Sequence, residues 1–120
     1  MNEKLAFILL VCSCLPIFEL ILLYSFALRA WIKLGHFPIP SMDDPKQLGM
    51  DLHYEFIWYS FPFIAYFSII PFVCILLLIR KISHNKFLMK KCLLLFIVGF
   101  LLIWIQIFID PFKIGYWYLD

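Results

Sequence analysis

The chain has 120 residues, of which 65% are apolar and 15% are charged, and its mean hydropathy is +0.97. Soluble domains carry roughly 45–50% apolar and about 25% charged residues, and a small fold has too much surface per volume to hide such an apolar excess from water. The composition therefore excludes a soluble domain, and the net charge of +2 is too small to indicate a nucleic-acid partner.

Three apolar runs follow one another along the chain and determine its predicted architecture. They cover residues 5–28, 56–79 and 92–109. At a rise of about 1.5 Å per residue the runs reach about 36, 36 and 27 Å, against a hydrocarbon core of about 30 Å. Lipid offers the backbone no hydrogen bonds, so each run should be helical. We therefore predict a single all-α membrane domain with three transmembrane helices.

The basic residues indicate how these helices are oriented. The short loop 80–91 contains five Lys and Arg residues, and Lys4 precedes the first run. The loop 29–55 and the tail 110–120 share four basic residues over a much longer stretch. Short cytoplasmic loops concentrate Lys and Arg. The pattern predicts a cytoplasmic amino terminus and basic loop, with loop 29–55 and the carboxyl-terminal tail outside.

Two polar residues lie within the predicted spans. Glu19 lies roughly 13 Å from the outer end of the first helix, and a carboxyl group at that depth is costly and faces protein or water. Tyr66 and Ser68, at matching depth in the second span, are its predicted hydrogen-bond partners. Gln106 is expected to bond to a neighbouring helix, for example at Ser60. We interpret Glu19 as a structural clamp, inside the chain or against a partner; the alternative is a proton, ion or ligand site.

Prolines interrupt the first two spans at Pro16, Pro62 and Pro71. Such breaks are tolerated in a membrane when neighbouring groups satisfy the freed carbonyls. They predict bends that fix the curvature of the helices, with a hinge as the alternative.

Local signals punctuate the first loop. Asp44 is typical of a helix N-cap, Pro45 of a first helical position and Gly49 of a stop, which together predict one short turn of helix. Asp51 is predicted to cap the second transmembrane helix.

Trp and Tyr are distributed on one side only. All ten lie in the predicted outer half of the membrane or beyond it. A belt of rings at headgroup level is one interpretation; an outer docking surface is the other, because Trp and Tyr are favoured interface anchors. The candidate docking residues are Trp31, Trp58, Tyr59, Tyr116, Trp117 and Tyr118.

The sequence contains no catalytic or cofactor motif. His36 and His53 share the first loop with several carboxylates, but only Asp51 and Glu55 fall on one face of a helix, so we predict no metal site. The cysteines all lie on the predicted inner side of the midplane, where a structural disulfide is not expected. They are Cys12, Cys14, Cys74 and Cys92. We predict that the chain is not an enzyme and has no cofactor.

The first loop also carries a resemblance. Residues 34–38 (Leu-Gly-His-Phe-Pro), 43–49 (Asp-Asp-Pro-Lys-Gln-Leu-Gly) and 51–54 (Asp-Leu-His-Tyr) stand close together. The loop from Arg29 to Tyr54 resembles loops of small uncharacterised three-pass bacterial inner-membrane proteins. The resemblance implies a multi-pass protein of the inner (plasma) membrane, and it carries over no functional residue.

These observations favour an accessory or interaction subunit of a larger inner-membrane assembly. Its expected surroundings are the lipid bilayer and either membrane protein partners or other copies of the same chain. The alternative is a small oligomeric transporter or channel in which Glu19 lines a shared pathway.

Overall fold

The computed structural model describes residues 3–82 and 86–119, and within these ranges it contains helices and no strand. The helices are α1 (Glu3–Leu34), a short 3-10 helix (Pro45–Leu48), α2 (Asp51–Phe67), α3 (Ile69–Ile82), α4 (Lys86–Phe108) and α5 (Ile114–Leu119). The predicted all-α class is confirmed. Part of the predicted basic loop, residues 83–85, and Asp120 in the predicted tail lie outside the described residues.

Two of the described helices, α1 and α4, are each long and apolar enough to cross a membrane. The helices α2 and α3 meet that criterion only as a pair, and the chain bends by 50° between them. The described chain thus contains two candidate spans, or three if the bent pair crosses as one. The predicted run 56–79 is therefore a broken helix rather than a continuous one.

The break between α2 and α3 has a covalent cause. Pro71 has no N–H to donate to the Phe67 carbonyl and its ring crowds the preceding turn. The backbone hydrogen bonds that flank the break are long. The Ser68 nitrogen lies 3.3 Å from the Ile64 oxygen, and the Phe72 nitrogen lies 3.4 Å from the Ser68 oxygen. The bend predicted from this proline is confirmed.

The long helices extend beyond the apolar runs. Helix α1 continues through the predicted boundary at residue 28 to Leu34 and ends where Gly35 adopts a left-handed φ of 75°. The Gly35 N–H then donates to the Trp31 carbonyl over 2.9 Å, which satisfies one of the last free acceptors of the helix. Helix α4 likewise begins at Lys86, inside the predicted loop 80–91.

Helix α1 lies at the centre of the structure and packs against α2, α3 and α4. Its buried residues recur every three or four positions, as an inward-facing helical stripe requires. They include Leu9, Ser13, Pro16, Glu19, Leu23, Phe26, Ala27 and Ala30. Helix α4 approaches α1 closely at Gly99, where an added Cβ would lie 2.7 Å from Ile17 Cγ1 and 3.2 Å from the Ile17 nitrogen. A small residue at this point lets the two backbones approach.

The short helix of the first loop forms as its local signals predict. Asp44 accepts a hydrogen bond from the Lys46 N–H over 2.9 Å, Pro45 opens the helix, and Gly49 ends it with a left-handed φ of 70°. The predicted capping role of Asp51 is wrong. Met50 occupies the N-cap position of α2 without a side-chain hydrogen bond, and Asp51 lies in the first turn, where its charge complements the helix dipole.

Two apolar clusters stabilise opposite ends of the bundle. The cap cluster consists of Leu23, Phe26, Ala27, Ala30, Met50, Ile57, Ile114, Trp117 and Tyr118. The α3–α4 cluster consists of Leu9, Phe72, Ile79, Cys92 and Phe96. We call the segments 35–50 and 110–119 the cap, because both fold over the same ends of α1 and α2.

Candidate functional site

Glu19 is fully buried inside the chain, with an exposed fraction of 0%. Neither of its carboxyl oxygens has a hydrogen-bond partner among the described residues. Ser60 on α2 is its polar neighbour, but the Ser60 hydroxyl donates to the Phe56 carbonyl over 2.6 Å. Because the carboxyl group faces the interior of the chain, it is not available for a hydrogen bond to a partner protein.

The predicted partners of Glu19 are wrong. Tyr66 is 59% exposed and its ring meets Trp104 edge-on, with centroids 5.5 Å apart. Ser68 is buried at the break between α2 and α3, and its hydroxyl has no partner among the described residues. Sequence position gives the depth of a residue in a helix, whereas its direction depends on the rotation of the helix and, here, on the bend.

Gln106 joins two helices to the cap. Its Oε1 accepts a hydrogen bond from the Tyr24 hydroxyl on α1, and its Nε2 donates to Asp110 Oδ1 over 2.7 Å. The predicted bond to a neighbouring helix is confirmed, but the partner is Tyr24 and not Ser60.

Asp110 organises the turn into α5. Its Oδ1 accepts from the Gly115 N–H over 3.0 Å and its Oδ2 from the Tyr116 N–H over 2.7 Å. Asp110 itself has a left-handed φ of 47°, a conformation that Asp tolerates better than most residues. Sequence reasoning did not identify this role, although an Asp-Pro pair directly after an apolar run is a turn signal.

Two of the predicted docking residues belong to the core instead. Trp117 is 1% exposed, stacks on Phe26 at 5.6 Å, and its indole N–H donates to the Asp43 carbonyl over 2.7 Å. Tyr118 is 5% exposed and its hydroxyl donates to the Tyr54 carbonyl over 2.6 Å. Burial raises the pKa of Tyr118 above its ordinary value, so it remains a protonated donor. Neither side chain is available to a partner, because α5 folds back onto α1 and α2.

The other four predicted docking residues are exposed. Trp58 is half-exposed and stacks on Tyr54, with ring centroids 6.4 Å apart. Tyr59 is 75% exposed and Tyr116 is exposed to a similar degree. Trp31 is half-exposed and meets the Phe37 ring edge-on.

A cavity of about 530 Å³, which we call the cap cavity, opens between two of these exposed rings, Trp58 and Tyr116. Apolar and aromatic side chains from α1, α2 and α5 form its walls, among them Leu23, Phe61, Trp58, Tyr116 and Tyr118. Gln106 and Asp110 supply its polar lining. The cavity thus joins the buried polar network to the exposed aromatic surface.

His53 and Arg29 form a connection that the sequence pattern did not predict. His53 Nε2 lies 3.0 Å from the Leu22 carbonyl, and Nδ1 lies 3.0 Å from an Arg29 guanidinium nitrogen. Since Arg is only a donor, Nδ1 accepts and Nε2 carries the hydrogen that is donated to Leu22. His53 therefore links α2 to α1, and within residues 3–82 and 86–119 there is no group of three or more His, Cys, Asp or Glu residues placed to hold a metal ion.

Comparison of the chain with protein-family models, with curated proteins and with solved structures finds no match. The resemblance of the loop from Arg29 to Tyr54 to small three-pass bacterial inner-membrane proteins therefore stays a prediction.

Proposed function

We propose that this chain is a non-enzymatic accessory subunit of a larger inner-membrane assembly, and that it binds its partner through exposed aromatic residues beside the cap. In this proposal the bent pair α2–α3 forms the second of three spans. The amino terminus and loop 80–91 face the cytoplasm and the cap faces outward, in keeping with the concentration of Lys and Arg in that loop.

The observation that carries the proposal is that exposed rings rest on a buried, hydrogen-bonded support. Trp58 stacks on Tyr54, Tyr54 stacks on Tyr118 at 4.6 Å, and the Tyr118 hydroxyl is bonded to the Tyr54 carbonyl. The backbone that carries Tyr116 is fixed by the bond from its N–H to Asp110. The Trp58 ring, already held by its stack on Tyr54, loses little conformational entropy on binding, and Trp and Tyr dominate interface hot spots. We define the docking surface as Trp58, Tyr59 and Tyr116.

The burial of Glu19 favours this function over a transporter or channel formed by several copies. A pathway shared between copies would be lined by residues on the outside of each chain, and Glu19 has no exposed surface. Substitution of the exposed rings can distinguish a docking surface from a lipid belt. A ring in a belt contributes to membrane anchoring but not to selective association with a partner.

Purification of the full chain in mild detergent from native membranes, followed by quantification of co-purifying membrane proteins, tests the proposal. The triple variant Trp58→Ala, Tyr59→Ala, Tyr116→Ala should lose the partner, whether another subunit or a second copy, while inserting normally. Tyr66→Ala is the control, because Tyr66 is also an exposed ring but lies outside the docking surface. A single chain from native membranes, unchanged by the triple variant, would leave the rings as a lipid belt.

The proposed topology has its own test. A reporter that is active only outside the cytoplasm should work when fused after Asp120 and should be silent when fused after Asn85. The reverse pattern would invert the orientation and place the docking surface in the cytoplasm.

A further inference from the structure

The cap cavity has the size of a small-molecule site. Its volume of about 530 Å³ falls within the range of roughly 300–1,000 Å³ that is typical of ligand pockets, and such pockets combine apolar walls with a few placed polar groups. Helices α1, α2, α4 and α5 all contribute to its lining, so its shape depends on the tertiary fold and not on one loop.

The charges that line the cavity have one sign. Among the described residues, Asp110 is the only charged one that lines the cavity, and no described Lys, Arg or His lines it. Lys113, the nearest basic residue along the chain, lines a neighbouring cleft that shares Asp110 and Tyr116 with the cavity, but Lys113 is not among the residues that line the cavity itself. The Asp110 carboxylate accepts three N–H groups and retains acceptor capacity, because its two oxygens offer about four lone-pair sites.

A second carboxyl group, that of Glu19, lies one helical turn before the lining residue Leu23 on α1. It is fully buried and does not itself line the cavity. An anionic ligand would meet the Asp110 carboxylate, with no cationic side chain among the described residues that line the cavity. A neutral apolar ligand would bury the Asp110 carboxylate without a counter-charge, which is costly.

The aromatic walls of the cavity favour a positively charged ligand, as the Asp110 carboxylate does. Phe61, Trp58, Tyr116 and Tyr118 line the cavity from two helices, and the faces of aromatic rings attract cations, above all quaternary ammonium groups. Acidic and aromatic groups together select for a ligand that is both apolar and positively charged.

We propose that the cap cavity binds a hydrophobic cation: a quaternary ammonium or phosphonium ion, or a protonated amine with apolar substituents. The ligand enters between Trp58 and Tyr116, places its apolar groups against Leu23 and Phe61, and directs its charge towards Asp110. Two residues of the docking surface, Trp58 and Tyr116, also form this entrance. Cation binding is measured on the isolated chain, so its outcome is distinguishable from loss of the partner.

Equilibrium dialysis of radiolabelled tetraphenylphosphonium against the purified full chain in detergent tests the proposal, with protein-free micelles as the blank. Saturable binding of one cation per chain is expected. Tetraphenylborate, which has the same shape and the opposite charge, should partition as it does into empty micelles. Absence of saturable cation binding, or equal binding of the anion, overturns the proposal.

Matched variants locate the site. Trp58→Ala should weaken binding about fivefold, as loss of one cation–π contact predicts, whereas Tyr59→Ala should not change it, because Tyr59 does not line the cavity. Asp110→Asn should weaken binding about tenfold or more; Asp51→Asn removes the same charge from an exposed site and should leave binding intact. If Asp110→Asn does not fold by circular dichroism, the Trp58 and Tyr59 pair decides. Equal affinity in that pair contradicts the assignment of the cavity.

Competition identifies the source of the cation. Displacement of tetraphenylphosphonium by tetrabutylammonium indicates a free hydrophobic cation, whereas displacement only by a phosphocholine lipid indicates a lipid headgroup with the same chemistry. Displacement by neither contradicts a cation-selective site.

Discussion

The two ends of the bundle are stabilised by different means. The α3–α4 cluster relies on shape: Phe72 and Phe96 stack at 4.0 Å with planes 4° apart, and Leu9, Ile79 and Cys92 surround them. The cap end combines packing with long-range hydrogen bonds, in which the Trp117 indole and the Tyr118 hydroxyl bond to loop and helix carbonyls. The difference follows from the backbone, because regular helices satisfy their own polar groups while a folded-back cap needs side chains to do so.

The cap end, and not the α3–α4 end, has the features from which a binding site can form. Helices in lipid associate without a hydrophobic drive, so packing and hydrogen bonds decide their arrangement. At the α3–α4 end that arrangement fills the interior with phenyl rings. At the cap end it leaves a cavity beside Asp110 and presents Trp58 and Tyr116 at the surface.

The largest expected effect on stability comes from removing one large buried ring from each cluster in turn. Trp117→Ala should cost about 3–5 kcal/mol of cap stability, because a fully buried ring and its hydrogen bond are lost together. Hydrogen exchange in detergent should show segment 110–119 losing protection while α3 keeps it. Phe96→Ala should lower the protection of α3 and leave that of segment 110–119 unchanged. Tyr116→Ala, at the surface, should lower the protection of neither segment. If either core variant unfolds both ends together, the two clusters are one cooperative unit.

The close contact between α1 and α4 at Gly99 gives the next largest expected effect. Gly99→Ala should cost about 1–3 kcal/mol, because the added carbon would lie 2.7 Å from Ile17 Cγ1, closer than real Cβ contacts allow, and 3.2 Å from the Ile17 nitrogen, which is a tight contact. Unfolding in increasing dodecyl sulfate measures the loss. Val98→Leu, one position away on the exposed face of α4, is the control. A tolerated Ala would mean that α1 and α4 can separate without penalty.

Replacing the buried carboxyl should stabilise the chain. Glu19 has no partner for either oxygen among the described residues, and an unsatisfied buried polar group costs about 1–3 kcal/mol. Glu19→Leu should therefore raise the unfolding midpoint in dodecyl sulfate by an amount within that range, and Glu19→Gln should change it less. A destabilised Leu variant would reveal a partner for the carboxyl, such as the neighbouring Ser60 hydroxyl.

The smallest effect concerns one hydrogen bond. Tyr24→Phe removes the donor to Gln106 and should cost about 1 kcal/mol, in line with hydrogen bonds between membrane helices. Tyr66→Phe, on an exposed ring, should be silent in the same unfolding measurement. Equal costs for the two variants would show that the Tyr24 bond adds nothing to the stability of the cap end.

Local features of the fold could be predicted because their causes are local. The short helix after Asp44 needs only a capping carboxylate, a proline and a glycine at the right spacing. The bend before α3 needs only the missing N–H of Pro71. The direction of Glu19 and the partner of Gln106 could not be predicted in the same way, because each depends on how one helix is rotated against another.

The sequence by itself determined that this chain is helical and that its apolar runs are long enough to cross a membrane, since apolar content and run length do not depend on any tertiary contact. It also placed the Trp and Tyr residues towards one end. Only the tertiary structure decided which of them are anchors and which are core: Trp117 and Tyr118 are buried because α5 folds back over the cap cluster, whereas Trp58 and Tyr116 stay exposed. That choice depends on contacts such as the Tyr24–Gln106 bond, whose partners stand 82 positions apart, beyond the reach of periodicity and local propensity.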